Sequence, residues 1–281
     1  MTRAPLACLV AVFLASAALV GPALAQDPSS IYIQVDYMKV LPGMETEYMA
    51  VEREIWKPVH EERQRRGDLL DWGLYNTMYA SPDAAYDFVT VNMYRGPTQV
   101  DGSGWEAAMQ AAHPEAEIDA LVERTRAARE VVRTELWALL SSVQAEGEEM
   151  PTGKYLAFNY MAVPSGAGPE YVATERGVWV PVHQARTRMG MMSGWGLYNL
   201  VLPRGASMTY NYATIDFFED MGDVLGQITW NMMSEAHGGA PRTEVDEMTE
   251  RTEEARTIHT TELWSRVDSL DGMETEVSAL E

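Results

Sequence analysis

Hydrophobic and polar residues follow the same series of periods twice along this chain. In the first half, Ile31–Leu41 alternates and is rich in β-branched and aromatic residues, which predicts a strand. Glu45–Arg66 has helical spacing, and Gly67 ends it. The rest of the half contains two strand-like runs, two helical runs and one last run: Leu70–Tyr79, Tyr86–Tyr94, Trp105–Ala112, Glu115–Ala128 and Val131–Leu140. The last run fits either a strand or a continued helix, and we favour a strand.

The second half repeats this order of elements. Its runs predict a strand, a helix, two strands and then further helices: Lys154–Val163, Tyr171–Met189, Trp195–Leu202, Tyr210–Phe218 and the segment from Leu225. Each half therefore has the order β-α-β-β-α-β, which is typical of ferredoxin-like domains.

Sequence identity supports a duplication. The run Trp56-x-Pro58-Val59-His60 recurs as Trp179-x-Pro181-Val182-His183, and Trp72-Gly-Leu-Tyr-Asn76 recurs as Trp195-Gly-Leu-Tyr-Asn199, both at an offset of 123 residues. Later the offset is 127, as for Thr134-Glu-Leu-Trp137 and Thr261-Glu-Leu-Trp264. A period this long indicates one duplicated domain, whose copies pair about a pseudo-twofold axis. The predicted boundaries are 26–143 for the first repeat, 144–153 for a linker, 154–267 for the second repeat and 268–281 for an acidic tail.

Three features of the chain resemble the dimeric α+β barrel superfamily. They are the order of elements, the duplication, and a Tyr-Met-x-Val strand that is followed by a turn and by a helix ending near His and Arg. The resemblance covers nearly the whole chain after its first segment. It implies an α+β fold in which two tandem ferredoxin-like βαββαβ repeats form one pseudo-dimeric barrel. That superfamily includes cofactor-independent monooxygenases, small-molecule isomerases, haem-binding peroxidase-like enzymes and many members without a known activity, so the fold alone does not select a function.

The first 25 residues have the features of a secretory signal peptide. Arg3 supplies the positive charge, Leu6–Val20 is apolar, and Ala23-Leu24-Ala25 is a cleavage site. The apolar run is shorter than a membrane span. We therefore expect an exported protein, periplasmic or secreted, with no membrane association. Its mature part contains no cysteine, because Cys8 lies in the signal.

Charge excludes some partners. Without Arg3 the chain has 20 basic and 42 acidic side chains, a net charge of 20 − 42 = −22. Such a field repels phosphate backbones and anionic lipids, which argues against nucleic-acid binding.

The candidate chemistry lies first on the helix Glu45–Arg66. Helical spacing places an acid, an indole, an imidazole and a guanidinium on one stripe, and the second copy repeats it: Glu52, Trp56, His60 and Arg63, then Glu175, Trp179, His183 and Arg186. The stripe fits an anion clamp or a base oriented by a carboxylate. Equally, it fits a structural network in which Glu52 and Arg63 neutralise each other and His60 caps the helix end. Pro58 and Pro181 predict a bend or an interruption of each helix over 54–58 and 177–181.

The strand runs supply the other candidates. Alternation puts Trp72 and Asn76 on one face and Tyr75 on the other, where Gly73 leaves room for a bulky neighbour or ligand. Trp195, Tyr198 and Asn199 repeat the arrangement. Asn76 and Asn199, with Thr90, Asn92, Asp36 and their repeats, form a predicted polar patch, which serves either as a hydrogen-bonded seam between the halves or as a ligand site.

No motif indicates a metal or a tightly bound cofactor. No HExxH run, phosphate loop or nucleophile elbow is present, and no local motif selects a histidine as a haem ligand. We therefore expect neither a metal nor a cofactor. The favoured hypothesis is a small-molecule-binding protein with an aromatic and Met-lined cavity. The alternatives are a cofactor-independent monooxygenase- or isomerase-like enzyme with His60 or His183 as base and Arg63 or Arg186 stabilising an anion, a haem-binding barrel, and a scaffold whose repeated residues serve packing only.

Overall fold

The computed structural model describes residues 30–81, 83–102, 104–148 and 150–270. The predicted signal peptide lies outside this range. Within it the chain forms eight strands: β1 (Ile31–Val40), β2 (Asp71–Met78), β3 (Phe88–Arg95), β4 (Arg129–Gln144), β5 (Tyr155–Ala162), β6 (Gly194–Leu202), β7 (Tyr212–Phe218) and β8 (Thr257–Ser269). The run Val131–Leu140 is part of β4, as favoured from its sequence.

Helices separate these strands. The first half contains α1 (Glu45–Val51), α2 (Lys57–Arg66), α3 (Trp105–Ala112) and α4 (Ile118–Ala128), and the second contains α5 (Gly168–Thr174), α6 (Val180–Arg188), α7 (Met221–Val224), α8 (Trp230–Ala236) and α9 (Arg242–Ala255). Between α1 and α2 the chain makes a π-helical turn, Glu52–Trp56, and the turn Glu175–Trp179 separates α5 from α6. Each turn comes directly before the helix that carries the proline, so the predicted interruptions are confirmed.

The strands close into one antiparallel barrel in the order β1-β3-β2-β8-β5-β7-β6-β4. The last strand of each half lies between the two halves: β4 pairs with β1 and β6, and β8 pairs with β5 and β2. Every backbone edge is therefore paired, and the halves cannot separate without breaking two ladders. The pseudo-dimeric α+β barrel predicted from the sequence is confirmed.

The barrel interior is filled with aromatic side chains and a small polar network. Trp137, Phe158 and Trp264 are fully buried there. The Tyr37 hydroxyl donates to Glu135, a fully buried carboxylate that also accepts from Tyr210. These groups close the centre of the barrel to solvent.

The helices cover the outer face of the barrel, so each half has a second core between its helices and its strands. In the first half this core contains Tyr48, Ile55, Val59, Trp72 and Leu74, none of them more than 1% exposed. The repeated stripe of the helix lies in this layer, not in the barrel interior.

The end of β8 lies beyond the predicted boundary at Val267. Asp268 belongs to the strand and accepts hydrogen bonds from Lys57 (2.9 Å) and Arg53 (3.2 Å), both on the helical segment of the first half. Leu270 is buried against Trp72 and its neighbours. This part of the expected acidic tail therefore packs on the first half and contributes to the join between the repeats.

Candidate functional site

Each half buries the charged stripe of its helix against the outer face of its own strands. Glu52, His60 and Arg63 are 2%, 7% and 8% exposed, and their counterparts Glu175, His183 and Arg186 are 2%, 5% and 5% exposed. Such burial is unusual for ionisable groups and requires partners for them.

Each histidine is stacked between two indoles. The His60 ring centroid lies 5.1 Å from that of Trp72 and 6.2 Å from that of Trp56, and the His183 ring lies 5.0 Å from Trp195 and 6.1 Å from Trp179. Both outer indoles are held by the following helices, since Trp56 Nε1 donates to Thr125 and Trp179 Nε1 donates to Thr252 at 3.1 Å.

The histidines are neutral at pH 7. Burial, and then the charge of the neighbouring arginine, lower the pKa of His60 to about 3, and the same two causes lower the pKa of His183 to about 3. The Arg63 Nη1 atom is 3.4 Å from His60 Nδ1, and Arg186 Nη1 is 3.5 Å from His183 Nδ1. His60 is inside α2 and stacked, so the interpretation of it as a helix cap is wrong.

The acids of the stripe have other partners than the sequence suggested. Glu52 Oε1 lies 3.7 Å from Arg129 Nε at the start of β4, so the proposed neutralisation of Glu52 by Arg63 is wrong. Burial raises the pKa of Glu52 to about 7, against the opposing effect of Arg129. Burial also raises the pKa of Glu175 to about 7, and there the opposing charge is Arg256, the counterpart of Arg129.

The Asp36, Thr90 and Asn92 part of the predicted polar patch, with its repeat, lies beneath the helices of each half, and its hydrogen bonds stay within that half, so for these residues the interpretation as a seam is wrong. In the first half Asp36 accepts hydrogen bonds from Gln34 (2.8 and 3.1 Å), Thr134 (2.7 Å) and Asn92 (3.3 Å). The contacts between the halves include the β4–β6 and β2–β8 ladders, the hydrogen bonds inside the barrel and the contacts of Asp268 and Leu270 with the first half.

The second half has the same patch with the acid and the amide exchanged. Asn159 replaces Asp36 and donates to Asp216 (2.9 Å), which replaces Asn92. In the first half Gln34 donates to the acid of the patch. The corresponding residue in the second half is Ala157, so Asp216 receives no such hydrogen bond. Its other neighbours are Arg186 Nη1 at 3.8 Å and His183 Nδ1 at 3.9 Å. Burial raises the pKa of Asp216.

The arginines differ in the same way. Arg63 Nη2 donates to the Tyr94 hydroxyl at 3.3 Å, whereas Phe218 takes the place of Tyr94 in the second half and offers no acceptor. Arg186 Nε is buried without a hydrogen-bond partner among the described residues, and burial lowers the pKa of Arg186. Arg186 Nε therefore lacks an acceptor, which is costly for a buried donor, whereas Nη1 lies 3.8 Å from the Asp216 carboxylate.

The second half also contains a cleft of about 330 Å³ beside these groups. One wall is the helical segment and the opposite wall is the outer face of β5, β6 and β7. The charged and aromatic members of its lining are those of the predicted stripe and its neighbours: Glu175, Trp179, His183, Arg186, Trp195, Asp216, Phe218 and Arg256. Val224 at the end of α7, with Gly226 and Ile228 after it, lines its side.

Some predicted site residues lie elsewhere. Tyr75 and Tyr198 point into the barrel interior, on the opposite face of the sheet from Trp72 and Trp195. Asn76 lies near the far end of β2, and its counterpart Asn199 does not line the cleft. The single cavity expected to contain all of these residues is therefore not formed, and they divide between two layers of the molecule.

Sequence reasoning missed three groups that the structure brings into the site. Arg256, Phe218 and Ala157 complete the cleft, and they correspond to the first-half residues Arg129, Tyr94 and Gln34. An alignment of the two halves shows these positions, because Gln34 and Tyr94 of the first half correspond to the apolar residues Ala157 and Phe218 in the second.

In the part of the chain that the structure describes, no group of three or more His, Asp or Glu residues could hold a metal ion. Within the same residues, no helix has the length and apolar character that crossing a membrane requires.

No protein-family model matches the chain, and no curated protein matches its sequence. Solved structures match its fold. Two putative monooxygenases match with TM-scores of 0.54 (Fusobacterium nucleatum) and 0.50 (Lactobacillus acidophilus), each at 10% identity over 86% of this chain, and over 94% and 96% of their own chains. A haem-binding protein from Thermus thermophilus matches with a TM-score of 0.47 at 10% identity, covering 85% of this chain and 92% of that one. At these identities the likeness shows the fold alone: the chain has the dimeric α+β barrel fold.

Proposed function

We propose that this is an exported binding protein for a small organic acid with an aromatic or apolar body, held in the cleft of the second half. The observation that carries the proposal is the buried Nε atom of Arg186, which has no hydrogen-bond partner among the described residues and lies in a cleft walled by the indoles of Trp179 and Trp195. A ligand carboxylate supplies the kind of acceptor that the Tyr94 hydroxyl supplies to Arg63 in the first half.

The charges in the cleft favour an anion. Arg186 and Arg256 are the cations that line it, and His183 is neutral at pH 7 because burial lowers its pKa to about 3. Of the two acids, Glu175 is partly protonated near pH 7, because burial raises its pKa to about 7. Since the whole chain carries a charge of −21, attraction of an anion depends on these local arginines.

The size and the walls of the cleft define the rest of the ligand. A volume of about 330 Å³ lies at the small end of the range for ligand sites. Phe218, Val224 and Ile228 add apolar surface to the two indoles. A bicyclic aromatic acid meets both requirements, since its rings contact the apolar walls and its carboxylate faces Arg186.

The geometry favours this proposal over an enzyme with a histidine base. A general base works best with a pKa near the operating pH, and the lowered pKa of about 3 makes His183 a weak base. The same stack surrounds His60, which supports a packing role for both imidazoles.

The surroundings of His183 also favour the proposal over haem. An axial histidine must present a ring nitrogen to the iron. His183 Nδ1 lies 3.5 Å from the Arg186 guanidinium, whose positive charge opposes a cationic iron beside this ring.

Isothermal titration calorimetry with 2-naphthoate tests the proposal, with 2-naphthalenemethanol as the neutral comparison. We expect the acid to bind and the alcohol to bind at least tenfold more weakly. The double variant Ala157→Gln with Phe218→Tyr gives the cleft the side chains of the first half, and we expect it to lose at least tenfold in affinity.

The matched control is the reciprocal pair Gln34→Ala with Tyr94→Phe, which alters the first half by the same chemistry and leaves the cleft unchanged. We expect wild-type affinity from it. Equal binding of acid and alcohol, or equal losses in both double variants, contradicts the assignment of the carboxylate to Arg186.

Native mass spectrometry and a visible spectrum of protein purified from the exported compartment provide an independent check. We expect an apo mass or the added mass of a small acid, in a colourless sample. A Soret band contradicts the proposal in favour of haem. Retention in the cytoplasm contradicts export while leaving the binding result to stand.

A further inference from the structure

A second cavity lies inside the barrel, at the end where β2 and β6 begin, and it is separate from the cleft under the helices. It has a volume of about 200 Å³. The central aromatic layer closes its inner end, where the ring centroids of Tyr75 and Trp264 are 6.3 Å apart. Nothing in the proposed function uses this space.

Two tyrosines related by the repeat are among its hydrogen-bonding groups, together with Asp71, Thr152, Arg266 and Ser269. Tyr75 and Tyr198 both line the cavity, and neither hydroxyl has a hydrogen-bond partner among the described residues. Tyr198 is only 1% exposed and Tyr75 is partly buried. The two phenols share the lining of the same cavity.

Glycines make this arrangement possible. A Cβ atom on Gly73 would lie 2.7 Å from the Tyr75 ring, and one on Gly196 would lie 2.6 Å from the Tyr198 ring. Each tyrosine therefore folds back over the glycine two residues before it, on the same face of its strand. The space that Gly73 leaves is occupied by Tyr75, and the cavity lies beyond both rings.

The mouth of the cavity is not symmetric. Asp71 lies on the first-half side, whereas the second half has Gly194, on which Pro151 of the connecting segment packs so closely that a Cβ there would lie 2.4 Å from it. Asp71 Oδ1 accepts from the Trp72 backbone N–H at 2.8 Å, and Oδ2 has no partner among the described residues. One carboxylate oxygen is therefore available to a ligand at this mouth.

The apolar walls of the cavity also differ between the two halves. Val91 and Met93 face the interior yet remain half-buried, whereas their second-half counterparts Ile215 and Phe217 are 2% and 7% exposed. The packing of the barrel is thus incomplete on the first-half side. That is the side on which Asp71 lies.

We infer that this cavity is a second ligand site, which takes a phenol with a single aromatic ring. A dry cavity of about 150 Å³ binds benzene, so about 200 Å³ admits one substituted ring. The ring contacts Val91, Met93 and Leu156. Its hydroxyl accepts from a tyrosine and donates to Asp71, which satisfies groups that otherwise lack protein partners.

Calorimetric titration with p-cresol tests this site, with toluene as the ligand of similar shape that lacks the hydroxyl. We expect p-cresol to bind at least tenfold more tightly than toluene. The double variant Tyr75→Phe with Tyr198→Phe keeps the rings and removes both hydroxyls, and we expect it to lose most of that preference. Val91→Phe fills the cavity, and we expect it to abolish binding.

The variant Ala157→Gln with Phe218→Tyr, which alters only the cleft, serves as control and is expected to bind p-cresol as the wild type does. The absence of binding, equal affinity for toluene and p-cresol, or binding that both barrel variants leave unchanged overturns the inference. Circular dichroism shows whether Val91→Phe folds. If it does not fold, the double variant Tyr75→Phe with Tyr198→Phe alone tests whether p-cresol binds in this cavity. Since p-cresol is neutral, failure here is distinct from failure of the acid to bind in the cleft.

Discussion

The hydroxyl oxygens of Tyr37 and Tyr160 lie 2.8 Å apart at the centre of the barrel. The two residues occupy the same position in the two repeats, so the pseudo-twofold axis passes between them. A hydrogen bond between equivalent groups cannot be symmetric, because one hydroxyl must donate. Tyr37 donates its proton to Glu135 at 2.7 Å, and Tyr160 is therefore the donor to Tyr37.

This polarity predicts unequal effects of two identical substitutions. Tyr37→Phe removes two hydrogen bonds and leaves both Glu135 and Tyr160 short of a partner, so we expect a loss of about 2–3 kcal/mol in the free energy of unfolding. Tyr160→Phe removes one bond, and we expect a loss of about 1 kcal/mol. Urea unfolding of both variants measures the difference, and equal losses contradict the direction of the hydrogen bond.

The buried Glu135 and the half-buried Glu262, which correspond in the two repeats, predict a second asymmetry. Glu135 Oε1 lies 3.2 Å from Arg133 Nε, whereas the position that corresponds to Arg133 in the second half is Thr260, beside Glu262. Glu135→Gln leaves Arg133 without its carboxylate, and we expect it to cost about 3–5 kcal/mol in unfolding free energy. Glu262→Gln is the matched control, with an expected cost of about 1–2 kcal/mol. The order of the two urea midpoints checks the account, and the reverse order contradicts it.

The helix–sheet layers predict opposing pH effects on stability. Folding lowers the pKa of His60 and His183 from 6.5 to about 3, so the unfolded chain takes up protons first and stability falls as pH drops from 6.5 towards 3. Folding raises the pKa of Glu52 and Glu175 from 4.5 to about 7, so the folded chain takes up protons first and stability rises as pH drops from 7 to 4.5. Each group changes the unfolding free energy by up to about 1.4 kcal/mol per pH unit.

Between pH 6.5 and 4.5 these effects oppose each other. The variant Glu52→Gln with Glu175→Gln removes only the glutamate contribution, so its stability relative to wild type is expected to fall steadily as the pH drops from 7 to 4.5. Below pH 4.5 the two curves become parallel, because the histidines titrate in both proteins. Urea unfolding at pH 7, 5.5, 4.5 and 3.5 gives this comparison. Parallel curves over the whole range show that the glutamates are ionised in the folded state.

The strand glycines predict a fourth result. Gly73→Ala places a Cβ 2.7 Å from the Tyr75 ring, which must move, and we expect a loss of about 1–3 kcal/mol. Gly177→Ala is the matched control, because Gly177 lies in the π-helical turn with no atom within 4 Å of the added Cβ. There we expect a gain of about 0.5–1 kcal/mol. Thermal unfolding distinguishes the two, and a neutral Gly73→Ala shows that the Tyr75 ring moves freely.

The fold was predictable because the duplication and the periodicity agree with each other. Strand alternation, the prolines before His60 and His183 and the repeat offset together determine the barrel and the π-helical turns.

The site was only partly predictable, because periodicity places Trp72 and Tyr75 on opposite faces of a strand but does not say which face lies in the barrel. Arg256 was missed because its partner Glu175 is far away in sequence, and the two meet only when β8 pairs with β5 and the helical segment packs on these strands.

The duplicated stripe alone also did not reveal that the halves differ. The difference arises from Gln34 and Tyr94, which become Ala157 and Phe218. Neither change alters the hydrophobic pattern of its strand enough to mark a site. The hydrogen bond that Arg63 donates to Tyr94 has no counterpart in the second half, and it is this loss, with the unpartnered Nε atom, that distinguishes Arg186.

The most direct test of ligand binding in the cleft is a crystal structure of the protein grown with 6-bromo-2-naphthoate, in which the bromine is located by anomalous scattering. The account predicts one strong bromine peak in the second half, with the rings between the indoles of Trp179 and Trp195 and the carboxylate at Arg186. A peak at the equivalent place beside Arg63, or none near either helix, contradicts it.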